Sequence, residues 1–447
     1  MAQRVNRQPQ IIDATILFID LMSSVALSTS LSLYEYNDLI NEYQDTLRGV
    51  IDDLRQSYPV GEYYLGGDQL AVFFYDPQDA QLRAKVEQLR RRNPLSPRAA
   101  AIEAELELRK NRCLYGALRC GVQVKNAWTA HRRNFARVES QQPVLDVGVG
   151  INTGHVILQP RGDGRTRIEG FAINFAKRVE GFARYGSFCK IMLSKTAYET
   201  FRNIVIRHAM LKQRAFFNAF EPQAGLLKGL APGTKVYELK FFHRLAGFDI
   251  GEQQVDLYRR IFALDATNFW AYSNLLNYYL YTRVDLEQAQ AVAHRALYSN
   301  PESEKIYYDL GHVNLDLGDY DAAAEYCQRC VRLNEEMDIA FDMLGDIEAR
   351  RGDWDSVLRY RSKALALSPG CAAYQLQVAQ ALAKLGRLAE SRKHACRALQ
   401  LYPQVADMLP EETRTELEQL LGQQLIGAMA LKPCKPKRRR KGAQVSS

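Results

Sequence analysis

Apolar and polar positions divide this chain into two unlike halves. In the first, the apolar runs are short and rich in β-branched residues. Residues 11–20 read IIDATILFID, an apolar run that ends in an acid, which predicts a buried strand delivering a carboxylate at its end. A small, hydroxyl-rich stretch follows at 21–30, then an amphipathic helix over about 33–56. Residues 63–75 read YYLGGDQLAVFFY, two strand-like segments around Gly66-Gly67-Asp68, and predict a hairpin with an acid at its tip. Residues 80–112 are rich in Arg, Glu, Ala and Leu and predict helices broken near 93–97, where the chain reads NPLSP. Residues 144–158 (VLDVGVGINTGHVIL) predict a strand, a glycine turn and another strand, and residues 169–180 (EGFAINFAKRVE) predict a helix.

The second half repeats with a period of 34 residues from about 267. Asn300-Pro301, Asn334-Glu335, Ser368-Pro369 and Tyr402-Pro403 recur in register, as do Gly318, Gly352 and Gly386. Each glycine is followed by Asp319-Tyr320, Asp353-Trp354 or Arg387-Leu388, and small residues recur at Ala296, Cys330, Ala364 and Ala398 and at Gly311, Gly345 and Ala379. Small residues let antiparallel helices approach closely, and the glycines end the first helix of each pair. Prolines suit the turns between repeats, where a missing N–H costs little. The pattern resembles the tetratricopeptide family over residues 267–403, roughly four repeats. Val284 stands in the glycine column of the first repeat, as expected of a terminal one. Residues 404–425 are expected to form a capping helix. The resemblance implies that the array binds a protein or peptide partner, as a regulatory or sensing module, or mediates self-assembly.

Composition narrows the class. Length 447, 47% hydrophobic and 25% charged residues are ordinary for two or three globular domains. No apolar run is long enough to span a bilayer and the start is polar, so the expected location is the cytoplasm with no transmembrane segment. Eight scattered cysteines suggest no disulfide framework, and Cys327-x-x-Cys330 reads as helix packing rather than a metal or redox motif. The net charge of +8 owes much to residues 432–441, KPCKPKRRRK, read as part of a basic, disordered tail over 426–447. Nucleic acid is not the expected partner.

The candidate chemistry lies in the first half. Asp20 and Asp68, at the ends of neighbouring strands, suit two divalent metals for in-line attack at phosphorus. Asn174 and Arg178, four apart on one helix face, suit a ribose and a phosphate charge. Gly148-x-Gly150-x-x-x-Gly154 is not a dinucleotide fingerprint, because a strand, not a helix, follows it.

FID, GGD, GVGINTG, NFAKR and a closing LLKG…VYEL, in this order, resemble the catalytic domain of class III adenylate and guanylate cyclases over about residues 11–240. The resemblance implies an α+β domain at 11–243, with an antiparallel-rich sheet flanked by helices, a ferredoxin-like core and a helical insertion at about 79–142. A linker helix at 244–266 and the all-α tetratricopeptide-type solenoid at 267–425 would follow. It implies that Asp20 and Asp68, with the backbone carbonyl of Leu21, hold two divalent ions, Mg or Mn. Asn174 would orient the ribose and Arg178 would stabilise transition-state charge, while Lys228 is a weaker match for a triphosphate contact. The substrate would be a nucleoside triphosphate, closed to a 3′,5′-cyclic nucleotide with release of pyrophosphate. In that family the metal acids and the Asn/Arg pair come from opposite subunits, which implies a head-to-tail homodimer.

Three features depart from the family pattern. The base-reading positions are Tyr64 and Arg167, where adenylate cyclases carry Lys and Asp or Thr. A bulky, rigid Tyr shortens a purine pocket, and Arg offers only donors, which suit a carbonyl edge, O4 or O2 of uracil or O6 of guanine; a small base with an acceptor edge points to uracil. The combination resembles the pyrimidine cyclases of bacterial anti-phage (Pycsar-type) defence and implies UTP converted to cyclic UMP as an alarm signal. Ser23 replaces the usual Gly after the first metal acid, and the stretch at 79–142 is longer than the family needs, as for an extended dimer arm. The alternatives are an adenylate or guanylate cyclase regulated through its repeats, and an inactive, nucleotide-sensing scaffold.

Overall fold

A computed structural model describes residues 9–160, 166–208, 215–220, 234–242 and 250–401. Lys228, the expected capping helix and the basic tail lie outside these residues. The architecture is the expected α+β domain followed by an all-α repeat array. Apart from the end of one helix, the chain divides into two compact units between Pro301 and Glu302. The repeat period starts earlier, at about 267, so its first row packs within the sheet unit.

Among the described residues the first unit holds eight strands: β1 (Gln10–Leu21), β2 (Val60–Gly66), β3 (Gln69–Phe74), β4 (Val147–Pro160), β5 (Thr166–Glu169), β6 (Ile191–Ser194), β7 (Ala215–Phe220) and β8 (Val236–Phe242). Their order is β2-β3-β1-β4-β6-β8-β7, with β5 off this path and paired to β4. All pairings are antiparallel except β4 with β6. Strand β1 lies between β3 and β4, and Ile12, Ile16, Leu17, Ile19 and Leu21 are buried to within 1%. A strand covered on both faces has no polar side to show, hence its nearly unbroken apolar run.

Helix α1 (Ser24–Ser30) and helix α2 (Leu33–Arg55) follow β1. Ser32 and Glu35 close a capping box at the start of α2. The segment after β3 forms α3 (Asp79–Arg92), α4 (Pro97–Thr129) and α5 (Arg132–Glu139). Tyr43 of α2 meets Trp128 of α4 edge-to-face at 5.1 Å, seating both helices on one core. Glu42 of α2 accepts from Arg133 at 2.8 Å and Arg132 at 2.6 Å, tying α2 to α5.

Helix α6 (Phe171–Glu180) lies against β4 so closely that glycine is needed beneath it. A Cβ on Gly150 would sit 2.2 Å from the backbone N of Glu180, and one on Gly154 would sit 2.9 Å from Ala172 Cβ. The glycine pattern of β4 thus serves helix packing, and buried Asn152 between them donates to the Ala172 carbonyl at 2.9 Å. Helix α7 (Lys195–His208) follows β6. After β8 come α8 (Glu252–Leu264), α9 (Phe269–Asn277), one π-helical turn (Tyr278–Thr282) and α10 (Leu286–Ser299).

The second unit stacks α11 (Glu304–Leu317), α12 (Tyr320–Leu333), α13 (Asp338–Arg351), α14 (Trp354–Leu367), α15 (Ala372–Lys384) and α16 (Leu388–Leu401) as antiparallel pairs. Gly318, Gly352 and Gly386 end the first helix of each pair with φ of +83°, +80° and +74°, a conformation glycine adopts without strain. The aspartate after two of them caps the next helix: Asp319 accepts from the Ala322 N–H at 3.0 Å and Asp353 from Ser356 at 3.1 Å. Arg387 breaks that column and pairs instead with Glu390, three residues on, at 2.7 Å. The small residues sit where the helices touch, since a Cβ on Gly311 would lie 2.5 Å from Cys327 Sγ. Cys327 and Cys330 are buried, the Cys327 thiol is pushed up to about 12 by that burial, and Cys330 Sγ rests against Met337 Sδ at 3.2 Å. That is a packing environment.

Candidate active site

Strands β1 and β3 place the first two acids. Their register sets Asp20 opposite Gln69, so Asp68 stands at the tip of the adjoining hairpin, one residue before β3. The two-residue connection between β2 and β3 begins with Gly67 at φ +62°, the left-handed conformation that a primed hairpin turn requires. Gln44 of α2 donates to the Gly67 carbonyl at 2.6 Å and pins the tip. Leu21, the last residue of β1, gives its N–H to the Asp68 carbonyl at 3.3 Å, and Met22 gives its own to the Asp146 carbonyl at 3.0 Å. The chain then turns at Ser23, which holds φ +63°.

Electrostatics marks this corner. Burial, then the nearby Asp68 charge, pushes the Asp20 carboxyl up to about 6. Burial, then the Asp20 charge, pushes Glu180 up to about 7. Tyr43 and Tyr36 are also raised, chiefly by burial, with Asp20 and Asp68 adding to the effect. The cations Lys177 and Arg184 oppose the shifts at both Asp20 and Glu180. Asp20 Oδ1 is buried and accepts no hydrogen bond. Negative charge with an unsatisfied buried oxygen is costly unless a cation supplies the missing interaction. Hard oxygen donors of this kind fit a divalent metal. Among the described residues no three acidic, His or Cys side chains cluster to hold a metal by themselves, so a carbonyl such as that of Leu21 would have to complete the set.

Helix α6 carries the second pair. Asn174 is exposed and Arg178, one turn later, is half-buried, while Ala172 and Ala176 pack on the core beside Val156 and Leu158 of β4 and Val179 packs beside Met192 and Val236. Phe171, 69% exposed, stands at the helix start.

Tyr64 of β2 and the strand bearing Arg167 are brought together. The Tyr64 hydroxyl donates to the Thr166 carbonyl at 2.8 Å, and its ring meets Phe73 edge-on at 5.7 Å. Arg167, the next residue of β5, forms an ion pair with Glu169. Tyr64 therefore reaches the one strand that leaves the sheet's order, and a hydrogen bond holds its ring in place.

Several residues at this corner were not singled out from the sequence: Glu180, Lys177, Arg184, Gln69, and behind them Asp146 with Lys125. Two carried a signal. Glu180 continues the buried 172–176 spacing of α6, a charge on an apolar stripe, and Lys125 interrupts the apolar stripe of α4 between Gly121 and Trp128.

Residues 304–337 and 343–406 match the tetratricopeptide repeat family. No curated protein matches the chain. Solved structures similar to it include the adenylyl cyclase CyaB from P. aeruginosa, at 19% identity over 55% of this chain and 100% of that one, TM-score 0.38. The guanylyl cyclase Cya2 matches at 21% identity over 53% of this chain and 96% of that one, TM-score 0.34. YrrB, a TPR protein with an unusual peptide-binding site, matches at 22% identity over 38% of this chain and 83% of that one, TM-score 0.31. Among the described residues no helix is long and apolar enough to cross a membrane.

Proposed function

We propose that the chain is a class III nucleotidyl cyclase that closes a nucleoside triphosphate to its 3′,5′-cyclic nucleotide, and that its preferred substrate is UTP. The carrying observation is the pairing of Asp20 and Asp68 at adjacent strand ends, with a buried, unsatisfied Asp20 oxygen. Two divalent ions, Mg or Mn, held by Asp20, Asp68 and the Leu21 carbonyl, supply when bound Lewis-acid activation of the attacking oxygen and neutralisation of the leaving group. Asn174 orients the ribose through its amide, so that the 3′-oxygen lies in line with the α-phosphate. Arg178 donates to the phosphate oxygens as charge develops on them.

In the family whose motifs the chain resembles, the acids and the Asn/Arg pair serve opposite halves of a shared site. A head-to-tail homodimer is therefore part of the reading, and the presence of both acids and of the Asn/Arg pair supports cyclase chemistry over an inactive scaffold. At the base, Tyr64 is held by Thr166 where it would shorten a purine pocket, and the Arg167 guanidinium, which keeps further donors beyond its pair with Glu169, would meet a carbonyl edge. Both features favour uracil over adenine and support a role in anti-phage signalling. The repeats then serve as the input module, binding a protein or peptide partner.

Competition among the four nucleoside triphosphates, with products identified by mass spectrometry, tests the base. Cyclic UMP should dominate. Rapid cyclic AMP formation with no cyclic UMP or cyclic CMP would overturn the pyrimidine assignment.

A further inference from the structure

The turn after the metal acids is braced from a distance. The Asp146 carbonyl that receives the Met22 N–H belongs to the residue just before β4. The Asp146 carboxylate is gripped from two sides. Lys125 of α4, whose side chain is fully buried, pairs with it and also donates to the Val147 carbonyl at 3.2 Å. Lys190, from the loop before β6, reaches its other oxygen at 3.2 Å. Burial alone would raise the Asp146 carboxyl, but the two lysine charges hold it below the usual aspartate range.

Both lysine-bearing elements are in turn touched by two adjacent residues of α9. The Trp270 ring faces Lys125 Nζ at 5.3 Å. Phe269 packs edge-to-face at 4.9 Å on Phe188, in the loop that carries Lys190. That loop is itself fixed, because Ser187, Phe188 and Lys190 all donate their N–H groups to the Glu238 carboxylate. Helix α8 adds a tie to α4, from the Tyr258 hydroxyl to Asn126 Oδ1 at 2.8 Å. A buried ammonium is tolerated only where its charge is answered, and an aromatic face answers it in a fixed direction.

We propose that α8 and α9 form a strut for the metal-binding turn. Trp270 and Lys125 act as positioning residues that set the backbone of Asp20 to Met22 through Asp146. The helix before the repeat period and the first helix within it would then govern how well the turn binds its cations. This deepens the cyclase reading and rests on it for what the turn binds.

The test compares full-length Trp270→Leu, Lys125→Met and the conservative Trp270→Phe with the unmodified chain. Amide hydrogen exchange is read at Leu21–Met22 and, as a control, at Ile12–Ile16 on the far half of the same strand. Mn2+ binding is titrated by electron paramagnetic resonance without nucleotide. The strut predicts exchange about tenfold faster at Leu21–Met22 alone, and Mn2+ affinity lowered about tenfold, in Trp270→Leu and Lys125→Met. Trp270→Phe should stay near the unmodified chain. Unchanged exchange at Leu21–Met22, or equal acceleration at both sites, overturns the strut. Faster local exchange in a chain that binds no Mn2+ even unmodified upholds the strut and overturns the metal reading instead.

Discussion

Four described residues other than glycine hold a positive φ: Gln141, Lys190 and the two considered next. Ser23 sits at φ +63° in the turn beside Asp20, and Val284 at φ +56° in the column where later repeats have glycine. A β-branched residue in the left-handed region clashes with its own carbonyl, at roughly 1–2 kcal/mol. Glycine there gives back part of the gain through its looser unfolded chain. Val284→Gly should therefore raise stability by about 1 kcal/mol, read as an upward shift of the urea midpoint at constant slope. At Tyr64, substitution by Phe keeps the ring on Phe73 but removes the bond to Thr166. Discrimination between UTP and ATP should fall about fivefold, the equivalent of ~1 kcal/mol, in competition assays.

At the scale of elements, close approach between α6 and β4 decides where Asn174 and Arg178 point. Gly150→Ala would drive a methyl into the α6 backbone at Glu180, so it should cost about 3 kcal/mol in denaturant unfolding. The joint between α2 and α5 responds to acid. Hydrogen bonding by Arg133, then Arg132, holds the Glu42 carboxyl near about 2, against the ordinary 4.5. Its folded form releases the proton more readily, so its contribution is present above pH 4.5 and is lost as pH falls towards about 2. Glu42→Gln should remove that part of the acid-induced loss of stability, measured as melting temperature against pH.

The same elements show what the sequence made legible. The placement of Asp20 and Asp68 beside the ends of β1 and β3 was readable because it is a local fact. The i, i+4 pair on α6 and the 34-residue period were readable for the same reason. Sheet order was not, because β4 pairs with β6 far along the chain, Val149 beside Ile191, and β6 is only four residues long. Glu180, Lys125 and Asp146 were missed because a buried charge declares its role only through a partner brought in from elsewhere.

For the molecule as a whole, the proposed site draws one set of acids, Asp20 and Asp68, and one Asn/Arg pair, Asn174 and Arg178, from each chain. A composite site makes defects in the two halves complementary, whereas a self-contained site does not. In an isolated mixed dimer of Asp20→Ala and Arg178→Ala protomers, one site collects both defects and the other is intact. The decisive measurement is cyclic nucleotide production by that mixed dimer, purified through two different tags, beside each variant alone. Two inert homodimers are expected, and a mixed dimer with about half the activity of the unmodified enzyme, since one of two symmetric sites survives. Activity in the Asp20→Ala homodimer, or an inert mixed dimer, would contradict the composite site.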